Sequence, residues 1–363
     1  MLKSLLGDVL RKKDDAKLGE EFNDDFGSDK IRIAIMGAGG SGNNTVNRLC
    51  RIGISGVDLI GCNTDAQDLK KIDDRIRKVL IGDRLTKGLG AGGFPDIGEK
   101  AAEISKDVIA DTLDGTHLLF LTAGMGGGTG TGSAPVIAQI ARDQGAIVIA
   151  VVTFPFRLER ARLEKARIGI ENLRKTADTV IIIDNNKLLE YVPNLPIDKA
   201  FMVADEIVSK AVKGISDTIL EPSLINLDFA DIKSIMGGGK IAMMSVGDAQ
   251  GPDRVVNAVK NTLSQPLLDV DYKGAKGALI HVTGGESMTI GEANMVGKLL
   301  TQDMSHDANV MFGARVSPHL KDRLEIFGIF TGIKSPNLLG HDEVQRGMDV
   351  YTPKVDEWSI EAV

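Results

Sequence analysis

The chain has 363 residues, 43% hydrophobic and 26% charged, with a net charge of −7. That is ordinary globular composition for about two domains, and no apolar run approaches the roughly 20 residues of a bilayer-spanning helix. Cys50 and Cys62 make neither a disulfide framework nor a metal pattern, and the start Met1-Leu2-Lys3 lacks a signal-peptide core. The expected compartment is therefore a reducing one, the cytoplasm.

The charge is unevenly placed. Residues 1–30 carry six basic and eight acidic side chains, and residues 336–363 carry two and six, so the core between them is nearly neutral. A neutral core has no basic face for nucleic acid and poses little electrostatic obstacle to copies packing together.

Leu2, Leu5, Leu6, Val9 and Leu10 form a short helical stripe. It suits a helix docked on the core or one lying on a membrane surface. Residues 14–29 read as an acidic linker.

From residue 31 short apolar runs alternate with helical stretches. The runs are 31–36, 58–62, 79–81, 117–122, 147–154 and 179–184. This alternation predicts a parallel sheet covered on both faces, with ligands at the carboxyl ends of its strands. The special sequences sit there. Gly37-Ala38-Gly39-Gly40-Ser41-Gly42-Asn43-Asn44 follows the first run and alone fits a dinucleotide-binding turn. Asn63-Thr64-Asp65-Ala66-Gln67 follows the second; its acid suits a ribose hydroxyl or a hydrated magnesium ion. Residues 86–93 add a glycine-rich segment that suits a terminal phosphate or a plain surface loop.

The most informative stretch is 124–135, Gly-Met-Gly-Gly-Gly-Thr-Gly-Thr-Gly-Ser-Ala-Pro, between a buried strand and a helix expected over 136–143. Six glycines let several N–H groups converge on one anion, and the helix N-terminus adds partial positive charge. No G-x-x-x-x-G-K-[ST] is present, so this cradle lacks the P-loop lysine. A dinucleotide fold needs one glycine-rich phosphate turn, whereas three cradles suit a triphosphate.

Further on, 197–220 reads as one helix about 36 Å long, ended by Pro222. A second α/β unit follows, with strands at 241–246, 278–282, 310–316 and 324–330 and helices at 251–265 and 290–304. Asn226-Leu227-Asp228-Phe229-Ala230-Asp231 lies between them; its acids suit helix capping as well as catalysis.

Residues 126–132, Gly-Gly-Gly-Thr-Gly-Thr-Gly, resemble the signature of the tubulin/FtsZ superfamily, and Thr131 points to its FtsZ branch, in an archaeal variant. The resemblance runs from about residue 31 to 332 and rests on several separate motifs. It implies a Rossmann-like parallel-sheet GTPase domain joined by a long central helix to a smaller α/β domain. The implied division is 1–29, N-terminal helix and linker; 30–196, GTP-binding domain; 197–222, central helix; 223–335, C-terminal GTPase-activating domain; and 336–363, acidic tail.

The resemblance also implies roles. Gly39, Gly40, Ser41, Gly42 and Asn44 form the first phosphate loop, with Asp65, then Gly90, Ala91 and Gly92, on the next two. Gly126, Gly127, Gly128, Thr129, Gly130 and Thr131 form the signature loop. Glu159 is the ribose ligand and Arg162 the nearest match for the arginine of that loop, since Arg160 stands where bacterial members carry glycine. Asn185 and Asp205 contact guanine, which offers the N1–H and amine donors an aspartate can accept, and Phe201 stacks on the base or packs in the core. Magnesium is held mainly by phosphates and water.

Asn226, Asp228 and Asp231 match the family's catalytic loop. Asp228 lies about a helix length from Asp205, out of reach of phosphates in its own subunit. The family stacks head to tail, so these residues would complete the site of the next copy, Asp228 and Asp231 orienting water and Asn226 supporting them, and the contact grows a filament. The resemblance implies a cytoplasmic division ring at midcell beneath the membrane, with membrane-tethering partners. The tail lacks the D-[IV]-P-x-[FY] docking core of bacterial members; Val350-Tyr351-Thr352-Pro353 or Trp358-Ser359-Ile360 is the alternative docking peptide. A shape-controlling paralogue and a dinucleotide-dependent oxidoreductase remain as alternatives.

Overall fold

A computed structural model describes residues 31–54, 56–187, 205, 208–209, 212–213, 216, 229–237, 240–264 and 272–333. The N-terminal stripe, the linker, the acidic tail, Phe201, Asn226 and Asp228 lie outside these residues. Of the expected helix 197–220, residues 205, 208, 209, 212, 213 and 216 are described, and all are helical.

The first half alternates strands and helices: β1 (Ile33–Ala38), α1 (Gly39–Ile52), β2 (Val57–Asn63), α2 (Ala66–Lys71), β3 (Arg77–Leu80), α3 (Asp83–Thr86), α4 (Pro95–Ile104), α5 (Lys106–Leu113), β4 (Leu118–Gly124), α6 (Thr129–Asp143), β5 (Ile147–Phe154), α7 (Arg160–Thr176) and β6 (Thr179–Asp184). After the central segment come α8 (Phe229–Met236), β7 (Lys240–Gln250), α9 (Arg254–Ser264), β8 (Gly277–Gly284), α10 (Ile290–Thr301), β9 (Asn309–Val316) and β10 (Arg323–Thr331). Each expected apolar run forms a strand, with ends shifted by a few residues.

These strands make one sheet in the order β3-β2-β1-β4-β5-β6-β7-β10-β8-β9. From β3 to β7 all neighbours are parallel; β10 is antiparallel to β7 and β8. The strands of both halves therefore hydrogen-bond into a single sheet, through a β6–β7 ladder that spans only Thr179 to Ile181. Parallel strands buried on both faces read as unbroken apolar runs, as the fully buried Ile-Val-Ile-Ala-Val-Val-Thr-Phe of β5 does. Alternate side chains serve opposite faces: Ala34 and Met36 join one core, Ile33 and Ile35 the other. Cys62 is fully buried, which pushes its thiol up to about 12, so it is a core residue and not a nucleophile.

Two helix starts differ from the sequence reading. Helix α6 begins at Thr129, inside the glycine signature and seven residues before its expected start, and Pro135 stands within it. Glycine and proline read as breakers, but the turn is held by Gly132 N–H donating to the Gly128 carbonyl at 3.1 Å and Ser133 Oγ donating to the Thr129 carbonyl at 2.7 Å. Gly132 is there for close packing: a Cβ on it would stand 1.9 Å from the Pro95 carbonyl of α4. Likewise α1 begins at Gly39, so most of the first expected loop is helix N-terminus.

Candidate nucleotide site

The strand order reverses between β1 and β4, and the switch opens a crevice at the carboxyl ends of the parallel strands. A cleft of about 400 Å³ lies there. Its walls come from the ends of β1, β2, β4, β5 and β6 and from the loops that follow them.

The phosphate half is built by backbone touching backbone. Gly39 has φ +74°, and a Cβ on it would stand 2.8 Å from the Gly130 nitrogen, so the first and last glycine loops lie back to back. Gly42 sits behind them; a Cβ there would fall 2.3 Å from the Thr122 carbonyl of β4. Thr131 Oγ1 accepts from Gly126 N–H at 2.8 Å, and the buried hydroxyls of Thr64 and Thr129 meet at 2.6 Å. Asp65 caps α2, its carboxylate accepting from the Gln67 and Asp68 N–H groups. Gly90 N–H donates to the Thr64 carbonyl at 3.1 Å, which draws the 88–93 segment onto the second loop. Two helix N-termini, of α1 and α6, therefore aim at one space walled by glycine, an environment made for anionic oxygens.

The far half is chemically different. Asn185 is 5% exposed, and its Oδ1 is buried without a hydrogen-bond partner. An orphaned buried acceptor is costly, and the amine of a purine would satisfy it. Asp205 lines the same end; burial pushes its carboxyl up to about 7, opposed by the Arg48 charge. Glu159 Oε1 accepts from Phe156 N–H at 3.0 Å and Oε2 from Arg162 Nη1 at 2.7 Å, so this carboxylate also ties down its own loop. These donors and acceptors fit a guanine nucleotide with its phosphates in the glycine half.

The structure gathers Gly39, Gly40, Ser41, Asp65, Gly90, Ala91, Gly92, Gly127, Gly128, Thr129, Gly130, Glu159, Arg162, Asn185 and Asp205 around the cleft. Four expected contacts fall outside its lining. Gly42 is buried behind the first loop, Asn44 is exposed on α1, and Gly126 and Thr131 bond to one another. Gly42, Gly126 and Thr131 shape the wall without lining it. Asp231 falls in the first turn of α8. Missed by sequence reasoning were Asp68 and Thr153, which also line the cleft. Thr153 lies at the carboxyl end of β5, a position that could have flagged it; Asp68 carries no such signal.

Helix α8 is fastened at the other end of the sheet. Thr179 Oγ1, at the amino end of β6, donates to the Met236 carbonyl, and Thr331 Oγ1 donates to that of Ile235 at 3.4 Å. Asn185, by contrast, follows the carboxyl end of β6.

Comparison with known proteins agrees with this architecture. The family model described as "Tubulin/FtsZ family, GTPase domain" matches residues 32–193, and "FtsZ family, C-terminal domain" matches 239–334. Cell division protein FtsZ 2 of Methanocaldococcus jannaschii is 54% identical over 94% of this chain and 89% of its own length. Cell division protein FtsZ 2 of Haloferax volcanii is 51% identical over 88% and 80%. Among solved structures, an empty FtsZ dimer of M. jannaschii superposes with a TM-score of 0.79 at 42% identity, covering 91% of this chain and 92% of that one. CetZ2 of Haloferax volcanii shares the fold, with a TM-score of 0.71 at 20% identity over 84% and 94%. The glycine-walled cleft, its buried asparagine and aspartate and these likenesses together make the chain a member of the tubulin/FtsZ GTPase family, in its FtsZ branch.

Proposed function

We propose that this protein hydrolyses GTP to GDP and phosphate at the contact between head-to-tail copies, and that the resulting filaments serve cell division as a ring at midcell. The observation that carries the head-to-tail reading is the placement of α8. Its end is fastened at the amino end of β6, whereas the cleft opens at the carboxyl end of the same strand. Asn226, Asp228 and Asp231 would then act on the nucleotide of the next copy, Asp228 and Asp231 orienting water with Asn226 in support. The relatives named as cell division proteins, at 54% and 51% identity, support the cellular role.

In this reading Asn185 and Asp205 select guanine, Glu159 and Arg162 flank the ribose, and the backbone of the glycine loops carries the phosphates, stabilising charge on the transferring group. Magnesium would be held by phosphates and water, with Asp65 and Asp68 the carboxylates lining the phosphate half. The cation supplies charge neutralisation when bound. Among the described residues no helix is long and apolar enough to cross a membrane. The acidic tail 336–363 is our choice for the segment that docks membrane-tethering partners.

The test is the dependence of turnover on protein concentration. GTP turnover per subunit should rise above a threshold at which filaments sediment. A rate per subunit that is independent of concentration, without sedimenting polymer, overturns the interfacial site.

A further inference from the structure

The 90–93 loop, which lines the cleft and which we read as covering the terminal phosphate, is mostly glycine. Gly90, Gly92 and Gly93 all have positive φ, at 86°, 60° and 78°. Glycine loses more conformational freedom on ordering than other residues, so such a loop holds one shape only if something outside it does the holding. Its first part is tied to the second loop, through Gly90 N–H to the Thr64 carbonyl. The second part reaches a different element. Lys165 Nζ, on α7, donates to the Gly93 carbonyl at 2.7 Å and stands 5.4 Å from the ring centre of Phe94. Phe94 is 59% exposed.

Lys165 belongs to one face of α7, with Arg162 three residues before it and Gly169 four after. The same face bears on the signature loop at both ends. A Cβ on Gly126 would stand 2.7 Å from Arg162 Cβ, and one on Gly169 would stand 2.4 Å from Thr131 Cγ2. Arg162 itself lines the cleft. A single helix face thus touches the signature loop twice and also holds the 90–93 loop, which packs against the signature loop at Gly128.

We propose that Lys165 is a positioning residue for the terminal phosphate, a strap from α7 that fixes the 90–93 loop and so sets the preference for nucleoside triphosphate over diphosphate. It holds the loop from outside through the Gly93 carbonyl, so that the N–H groups facing the cleft are ordered before the ligand arrives. A preordered loop binds without the entropic cost of ordering at that moment. That advantage falls on the ligand that reaches the loop, the triphosphate. This inference rests on reading the cleft as a GTP site.

The experiment measures GTP and GDP affinity of the full chain below its assembly threshold, by displacement of a fluorescent guanine nucleotide, in wild type, Lys165→Met and Lys165→Arg. Methionine keeps most of the stem and removes the charged donor; arginine keeps a donor. We expect Lys165→Met to weaken GTP about tenfold and GDP less than about twofold, the loss of one charge-assisted hydrogen bond, with arginine restoring most of it. Amide hydrogen exchange over residues 90–94 should quicken in the methionine variant and not elsewhere in the nucleotide-binding half. Equal weakening of both nucleotides, no weakening, failure of arginine to rescue, or a general loss of exchange protection each overturns the assignment. Wild-type protein that binds no GTP would overturn the GTP reading itself; intact wild-type binding with an unchanged preference in Lys165→Met overturns only this inference.

Discussion

Thr179 and Asn185 stand at opposite ends of β6, and each belongs to a different part of the fold. Thr179 Oγ1 donates to the Met236 carbonyl that ends α8, while Asn185 lines the cleft with its Oδ1 unpartnered. Six residues of extended strand between them span about 20 Å. Asp231, in the first turn of α8, should therefore be dispensable for holding nucleotide and needed for turnover. Asp231→Ala is expected to bind GTP within about twofold of wild type and to lose at least about a hundredfold in turnover, the scale of a lost proton-handling or water-orienting carboxylate. Mixed one to one with wild type, it should halve turnover across the filament, because each interface takes its acid from one copy only. Lost GTP binding in this variant would count against an acid acting on the neighbour.

A pH dependence follows from Asp205. Burial holds its carboxyl near 7 in the free protein. Guanine presents two donors, which two ionised carboxylate oxygens can accept; a protonated carboxyl brings a donor of its own to that pair. GTP affinity should fall about tenfold per pH unit below 7 and level off above it, with binding near pH 7 releasing a proton. Calorimetry in buffers of different ionisation enthalpy reads the proton directly. Asp205→Asn should flatten the profile and lower affinity at pH 8.

The glycine loops separate a cost in stability from a cost in binding. A Cβ on Gly42 would stand 2.3 Å from a backbone carbonyl of β4, so Gly42→Ala must displace α1 from the sheet. We expect it to destabilise the protein by about 3 kcal/mol, as an overpacked core does. Gly127 lines the cleft, and a Cβ there meets nothing closer than 4.0 Å. Gly127→Ala should leave the unfolding midpoint unchanged and weaken nucleotide binding, because its methyl stands where a phosphate oxygen would approach. Denaturant melts beside nucleotide titrations distinguish the two.

Strands were legible in the sequence because parallel strands buried on both faces are almost wholly apolar, as β5 is but for Thr153. The start of α6 was not, because Gly130, Gly132 and Pro135 are breakers by propensity and only close packing explains the glycines, of Gly130 on the ends of β1 and β4 and of Gly132 on α4. Strand order was hidden as well: nothing in the run 324–330 says that it inserts between β7 and β8. The cleft was legible from glycine spacing and the resemblance together. Lys165 was not, since a lysine in a charged helix turn reads as a solvated side chain until the Gly93 carbonyl is seen beside it.

The smaller half of the sheet carries a second titrating carboxyl, of opposite sign. Arg254 is 7% exposed; it donates to both oxygens of Glu292, at 2.7 and 2.9 Å, and to the carbonyls of Ser287 and Asp322. The Arg254 guanidinium, with the Thr289 capping box, pulls the Glu292 carboxyl down to about 2 from its ordinary 4.5. A depressed carboxyl adds stability that is fully present above 4.5 and disappears as pH falls toward 2. Asp205 does the reverse: its raised value makes the free protein less stable as pH rises from about 4 to about 7. Together the two carboxyls predict greatest stability of the nucleotide-free protein between about pH 4 and 5, with a shoulder on each side. Glu292→Gln should erase the acid shoulder and Asp205→Asn the neutral one, each leaving the other in place. Arg254→Met should cost about 3–5 kcal/mol at neutral pH, because it leaves the Glu292 charge without its partner, and should recover part of that loss as Glu292 protonates. Denaturant midpoints of the three variants between pH 3 and pH 8 test the assignment; an Arg254→Met defect that does not shrink on acidification would show that the pair acts through packing and not through charge.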